Sequence, residues 1–306
     1  PQAYGYEIMR VDHDHIFKEL IQEFFKDFMR LFCPSQADEI DFNSVSFQNQ
    51  EQFTDIVGGD RRSLDLVARA DRRDAGTETI LVHTEFESHR RSLDFPRRMY
   101  MYYCQLFLRY QTDIVPIAVF SDDTVWRKPI PDTFQIKVGD QHYVDFRYHL
   151  IKLNRYDYRE LLKSGRVLAF AVAAKAQYDK ASRVRVKLDA LRAILQAELS
   201  PARETLLIEF LETYLVLNSQ EDHTFREAVE TEAEYSEVKR LIPTYEKFRK
   251  EGREEGLEKG RLEGRQEQLR RSILAILQRR FGEVDAAIVA RLGEIHEPSQ
   301  LDSLLL

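Results

Sequence analysis

The stretch TILVHTEFE, residues 79–87, is β-branched and apolar at its start and alternates polar with apolar toward its end, the pattern of a strand with side chains repeating every two residues. That period puts His83, Glu85 and Glu87 on one face and Ile80, Val82, Thr84 and Phe86 on the other. Just upstream, SLDLVARA (residues 63–70) also alternates. The two segments read as strands paired through a turn at Asp74, Ala75 and Gly76, a pairing that carries the Asp65 carboxylate to Glu85.

Outward from this pair, residues 14–32 place Ile16, Phe17, Leu20, Ile21, Phe24, Phe25, Phe28 and Leu31 at helical spacing. Residues 94–109 predict a second, aromatic-rich helix with Pro96 in its first turn. DIVPIAVF (113–120) predicts a buried strand, and a further strand pair is expected over 134–138 and 142–153. Helix, strands, helix, strand is the order of a mixed α/β domain, here residues 1–155. Residues 156–244 carry helical segments separated by polar or proline-containing breaks. In the charged stretch 245–271, Gly252, Gly256, Gly260 and Gly264 recur every four residues. Each glycine costs a helix about 1 kcal/mol relative to alanine, so the stretch is either a charged linker or a helix with a bare stripe for a second helix. Residues 272–306 return to amphipathic spacing and predict a small helical unit.

The chemistry-bearing feature is the trio Asp65, Glu85 and Glu87. Carboxylates gathered within a few ångströms raise one another's pKa unless a cation lies among them. The hard divalent ion Mg²⁺, or Mn²⁺ in its place, suits all-oxygen ligation with positions left for water and a phosphate. The competing reading is an ordinary acidic sheet face paired with Arg69, His83 or Arg90.

In order along the chain, His13, Asp14, Phe17 and Lys18 (H-D-x-x-F-K), Ser63, Asp65 and Leu66 (S-x-D-L), Val82, His83, Glu85, Glu87 and Ser88 (apolar-H-x-E-x-E-S), and Arg98, Met99 and Tyr102 (R-M-x-x-Y) are motif residues. Together they resemble the Rpn family of recombination-promoting nucleases, also called YhgA-like transposases, a branch of the PD-(D/E)XK nuclease superfamily. The tail element L-x-R-R-F-G (Leu277, Arg279, Arg280, Phe281, Gly282) is similar to a domain often appended to such proteins.

The resemblance implies a metal-dependent DNA endonuclease with a nuclease-like mixed sheet, in which Asp65 and Glu85 hold the metal. Glu87 departs from the usual Lys or Gln at the third position; a glutamate there accepts a proton from water or adds a ligand, or else marks a lost active centre. The alternative function is therefore an inactive scaffold or DNA-binding protein acting through oligomerisation.

Supporting roles stay open at this point. Asp14 is a helix N-cap or a further metal-site acid. Lys18 is a phosphate contact or a solvated lysine, and His83 is a ligand, a proton relay or a structural histidine. Arg98, which shares a helix face with Tyr102 and Asp94, meets either a phosphate or Asp94. Arg90, Arg91, Arg97 and Arg98 form the expected positive rim.

The chain's 306 residues carry a net charge of -7, which removes a generally basic nucleic-acid binder while leaving room for a local basic groove. Cys33 and Cys104 stand alone, expected reduced and buried, which excludes a disulfide framework and a thiolate zinc site. Phosphate-binding, dinucleotide, serine-elbow and H-E-x-x-H motifs are absent, so no nucleotide cofactor is expected. No stretch reaches the roughly 18 apolar residues of a membrane helix, and residues 1–15 lack the apolar core of a signal peptide. The expected address is the cytoplasm, the expected partners are DNA and further copies of the chain through its C-terminal helices, and no membrane is involved.

Overall fold

The computed structural model describes residues 13–48, 65–73, 78–87, 94–282, 284–285, 288–289, 291–292, 295 and 298–304. Residues up to Tyr245 form one compact unit and those from Glu246 onward a second.

The first unit opens with α1 (His13–Glu23), α2 (Phe25–Phe32) and the short α3 (Pro34–Asp38). The single helix expected over 14–32 is thus two, broken at Phe24, where φ and ψ leave the helical region. β1 (Ile40–Phe47) follows as an edge strand that sequence reading missed, because its pattern alternates poorly and is half exposed. Then come β2 (Leu66–Arg72), β3 (Thr79–Glu87), α4 (Phe95–Tyr110) and β4 (Asp113–Phe120). β2 pairs antiparallel with β3, Leu66 opposite Thr84, and β3 pairs parallel with β4, Glu87 opposite Phe120. The turn expected at Asp74–Gly76 lies outside the described residues.

The strand expected over 142–153 is divided at the buried Tyr148, whose N–H turns aside to Asp132 O. Its first part, β6 (Gln141–Arg147), pairs with β5 (Thr133–Val138) in a separate two-stranded sheet. Its second part, β7 (His149–Lys152), joins the main sheet parallel to β4, giving the order β1-β2-β3-β4-β7. The architecture is α/β, with a mixed five-stranded sheet and a second small sheet.

Both faces of the sheet are covered. Tyr102 and Leu106 of α4 pack on Val67 and Leu81 on one side. On the other, Phe17 of α1 meets Phe86 with ring centroids 5.9 Å apart. Eight of the nine residues of β3 are buried. The face carrying His83, Glu85 and Glu87 is therefore an interior face under α4 and not the solvent face that alternation alone allowed.

The helices after Asn154 are α5 (Tyr158–Lys163), α6 (Val167–Val172), α7 (Arg183–Gln196), α8 (Pro201–Tyr214) and α9 (Ser219–Thr231). Gly165, with φ of 64°, separates α5 from α6, a backbone that a β-carbon would strain. Asp157 caps α5, and Asn218 and Glu221 form a reciprocal capping box on α9. These helices share the core of the α/β part: Phe17 meets Phe210 edge-on at 4.8 Å, and Asp27 Oδ2 accepts from the N–H of Val167 at 3.1 Å.

In the second unit the charged glycine-repeat stretch is helical, within α10 (Ile242–Phe281). Its later turns pack Ile273 against Leu292 and Leu301, the last on α11 (Pro298–Ser303). The Arg270 guanidinium donates to Leu292 O and Ile295 O at 3.1 and 2.7 Å, satisfying carbonyls that the short tail leaves over.

Candidate active site

β3, β4 and β7 run parallel, so their carboxyl ends lie along one edge of the sheet, the edge where open α/β sheets place their ligand sites. Glu85 and Glu87 close β3, Ser121 and Asp122 follow β4, and Lys152 closes β7.

Asp65 arrives at the same edge from the antiparallel direction, one residue before β2 begins. Sequence alternation extended the strand through Asp65, whereas the ladder starts at Leu66 opposite Thr84. The reason is local: the Asp65 side chain takes over the ladder's role, its Oδ2 accepting from the N–H of Phe86 at 2.8 Å, while its own N–H donates to Glu85 Oε1 at 3.1 Å. This reciprocal clasp locks the two carboxylates together.

Each acid also has a cationic or proton-bearing neighbour. Lys18 Nζ, reaching from α1, lies 3.3 Å from Asp65 Oδ1, and both side chains are 17% exposed. His83 Nε2 is 2.8 Å from Glu85 Oε1, so that nitrogen carries the shared proton; the buried Nδ1 makes no hydrogen bond among the described residues. Tyr102 meets the His83 ring edge-on with centroids 5.6 Å apart, fixing the imidazole plane. Arg98 donates to Glu87 Oε1 and stacks over Phe95, 4.6 Å from the ring centroid. Its side chain goes to Glu87 and not to Asp94, with which it shares only the helical backbone bond.

Among the described residues, Lys18 lies beside Asp65, His83 beside Glu85 and Arg98 beside Glu87. Burial, followed by the charge of Glu85, raises the Asp65 carboxyl to about 6 against the opposing pull of the Phe86 N–H and Lys18.

The donor set fits a hard divalent ion in one particular way. Among the described residues no three His, Cys, Asp or Glu side chains converge as a cage. Mg²⁺ commonly uses one or two carboxylates and takes its other ligands from water and phosphate. Asp65 and Glu85 would be that pair.

Of the other residues singled out from sequence, Arg97 is exposed on α4, and Asp14 stands in the first turn of α1 with its side chain outside the described part. Arg90 and Arg91 lie outside the described residues. Cys33 is buried, its thiol pushed up to about 12 by burial, whereas Cys104 is only half-buried, against the expectation of two buried thiols.

Sequence reasoning missed a second buried pair at the same edge. Lys152 Nζ lies 2.8 Å from Asp122 Oδ2, donates also to Asp122 O, and sits 5.1 Å from the Trp126 ring centroid. Both side chains are at most 5% exposed. Burial pushes the Lys152 ammonium down, and Lys152 together with Thr124 and Trp126 holds Asp122 low despite its burial. This pair ties the loop after β4 to β7, and Ser121 at the start of that loop donates its N–H to Glu87 O at 2.9 Å. An acid one residue beyond the apolar run IVPIAVF, as in DIVPIAVFSDD, was the available signal.

Fold and site together define a mixed-sheet α/β protein with a buried carboxylate cluster at the carboxyl edge of its parallel strands. No family model, curated protein or solved structure matches the chain. Among the described residues no helix is long and apolar enough to cross a membrane.

Proposed function

We propose that the chain is a Mg²⁺-dependent endonuclease that hydrolyses DNA phosphodiester bonds, with a PD-(D/E)XK-like nuclease domain of the Rpn type and a role in recombination or transposition. The observation that carries this reading is the clasped Asp65–Glu85 pair at the carboxyl edge of the sheet, with the Asp65 carboxyl raised by burial and by the charge of Glu85. Asp65 and Glu85 would hold the ion. When bound, Mg²⁺ supplies polarisation of a phosphoryl oxygen and a water acidic enough to attack phosphorus.

The rest falls to the chain's own groups. His83 fixes the Glu85 carboxylate, and Tyr102 fixes His83. Glu87 orients the Arg98 guanidinium, which would offer a remaining N–H group to a phosphate oxygen. Arg97, exposed on the preceding position, would add a contact to the phosphate backbone. Glu87 thus serves the site through Arg98 and not as a third ligand.

A second reading rests on the same ion pairs. Lys18 on Asp65 and Arg98 on Glu87 give two of the acids a resident cation, as a scaffold that has lost catalysis would. Supercoiled plasmid with Mg²⁺ or Mn²⁺, beside the D65N variant, separates the two. Nicking by wild type alone supports the nuclease; intact plasmid with both proteins across ions and concentrations supports the scaffold.

Self-association through residues 245–306 belongs to either reading. In the second unit Ile276, Ile288, Val289 and Leu304 are all more than 40% exposed, an apolar surface that a small helical unit gains by covering.

A further inference from the structure

We propose that Lys18 is a displaceable resident cation: its ammonium occupies the carboxylate oxygen that a divalent ion needs, and ion binding drives it outward toward the substrate phosphate. The inference rests on the ion-binding reading of the Asp65–Glu85 pair and adds a residue that works against the ion in the resting state.

The argument is an accounting of oxygen atoms. Asp65 Oδ2 is committed to the N–H of Phe86, and Glu85 Oε1 to the N–H of Asp65 and to His83 Nε2. Those bonds build the clasp and cannot be released without opening the end of the β2–β3 ladder. Among the described residues, the oxygens that take no part in the clasp are Glu85 Oε2 and Asp65 Oδ1, and Lys18 Nζ lies 3.3 Å from the latter. An ion bridging the pair therefore takes the place of the ammonium on Oδ1, and two cations within a few ångströms repel.

Lysine suits this exchange better than arginine. Its ammonium is a point charge on a flexible four-carbon stem, making one replaceable contact where a guanidinium would make a rigid fork. Arg98 on Glu87 is the fixed counterpart in the same cluster, packed on Phe95. Lys18 is 17% exposed, so its head group has a way out to solvent, while the neighbouring Phe17 is held by the core, against Phe86 and Phe210. The helix stays and the head group moves. Displaced by the ion, the ammonium remains one side-chain length from Asp65, where a phosphate bridging ion and protein would meet it.

The test is Mn²⁺ binding to the full chain, followed by the loss of the free-ion electron paramagnetic resonance signal. Wild type, K18M, K18Q, K18R and D65N are compared without DNA. K18M and K18Q should bind Mn²⁺ at least tenfold more tightly than wild type, K18R no more tightly than wild type, and D65N should lose the site. Two neutral variants keep the test valid should one of them fold poorly, and far-ultraviolet circular dichroism reports which are folded. Wild-type binding that K18M and K18Q leave unchanged or weaken overturns the exchange while leaving the ion site standing. Binding by the neutral variants but not by wild type supports the exchange and removes the ion-dependent nuclease. Binding by none overturns both.

Discussion

Replacing Asp65 with asparagine should make the metal-free protein more stable at neutral pH, although the residue is buried, clasped and ion-paired. A rise of its carboxyl from 3.8 to about 6 means that the folded state binds the proton more tightly than the unfolded state does. Between about pH 4 and pH 6 the native protein holds more protons than the unfolded chain, so stability falls as pH rises through that window. Above it the full penalty stands. About two pH units at about 1.4 kcal/mol each give about 3 kcal/mol.

Asparagine keeps an oxygen to accept from the Phe86 N–H and carries no charge beside Glu85, so D65N should recover most of that amount at pH 7.5 and none at pH 3.5. The assay is urea unfolding in EDTA followed by fluorescence of Trp126, the chain's single tryptophan, which packs edge-on against Phe120 at 4.7 Å in the first unit. Mg²⁺ should then stabilise wild type and leave D65N unmoved, as binding to the native state requires. A variant less stable than wild type at pH 7.5, by an amount independent of pH, would show that Asp65 is an ordinary structural acid and would refute the electrostatic reasoning.

Other expectations follow from neighbouring groups. R98M removes the Arg98 ion pair from the buried Glu87 and should cost about 3–5 kcal/mol in urea unfolding, with E87Q added to it restoring part of the loss; a cost under about 1 kcal/mol would mean the pair contributes no order to the site. F17A removes a ring shared by Phe86, Phe210 and Tyr214 and should destabilise the first unit by about 3–5 kcal/mol, read by the same fluorescence. Deleting residues 245–306 should reduce the particle to a monomer in light scattering; a mass that falls only by the deleted residues would end the self-association proposal.

The central strands were legible because β3 and β4 are long, apolar and bounded by charge, so that residues 79–87 and 113–120 were read to the residue. β1 was not legible: an edge strand with one half-covered face has little apolar periodicity, and its register shifts between Asp41 and Ser46. The division of 142–153 between two sheets was hidden because both halves alternate alike, and only the buried Tyr148 separates them. At the site, period two placed His83, Glu85 and Glu87 on one face and strand pairing brought Asp65 to Glu85. The partners of these acids lie far away in the sequence. Lys18 belongs to a helix whose position depends on the core around Phe17, and Arg98 could be assigned to Glu87 or Asp94 only once α4 was laid across the sheet. The burial of the carboxylates was equally unreadable, since alternation gives a face and says nothing of what covers it.

The most direct test of the Asp65–Glu85 ion site is anomalous diffraction from crystals grown with Mn²⁺. The account predicts a single peak within bonding distance of Asp65 Oδ1 and Glu85 Oε2, with Lys18 Nζ withdrawn from Asp65. Well-ordered carboxylates with Lys18 still seated and no peak between them, at Mn²⁺ concentrations that support any nicking, would contradict it.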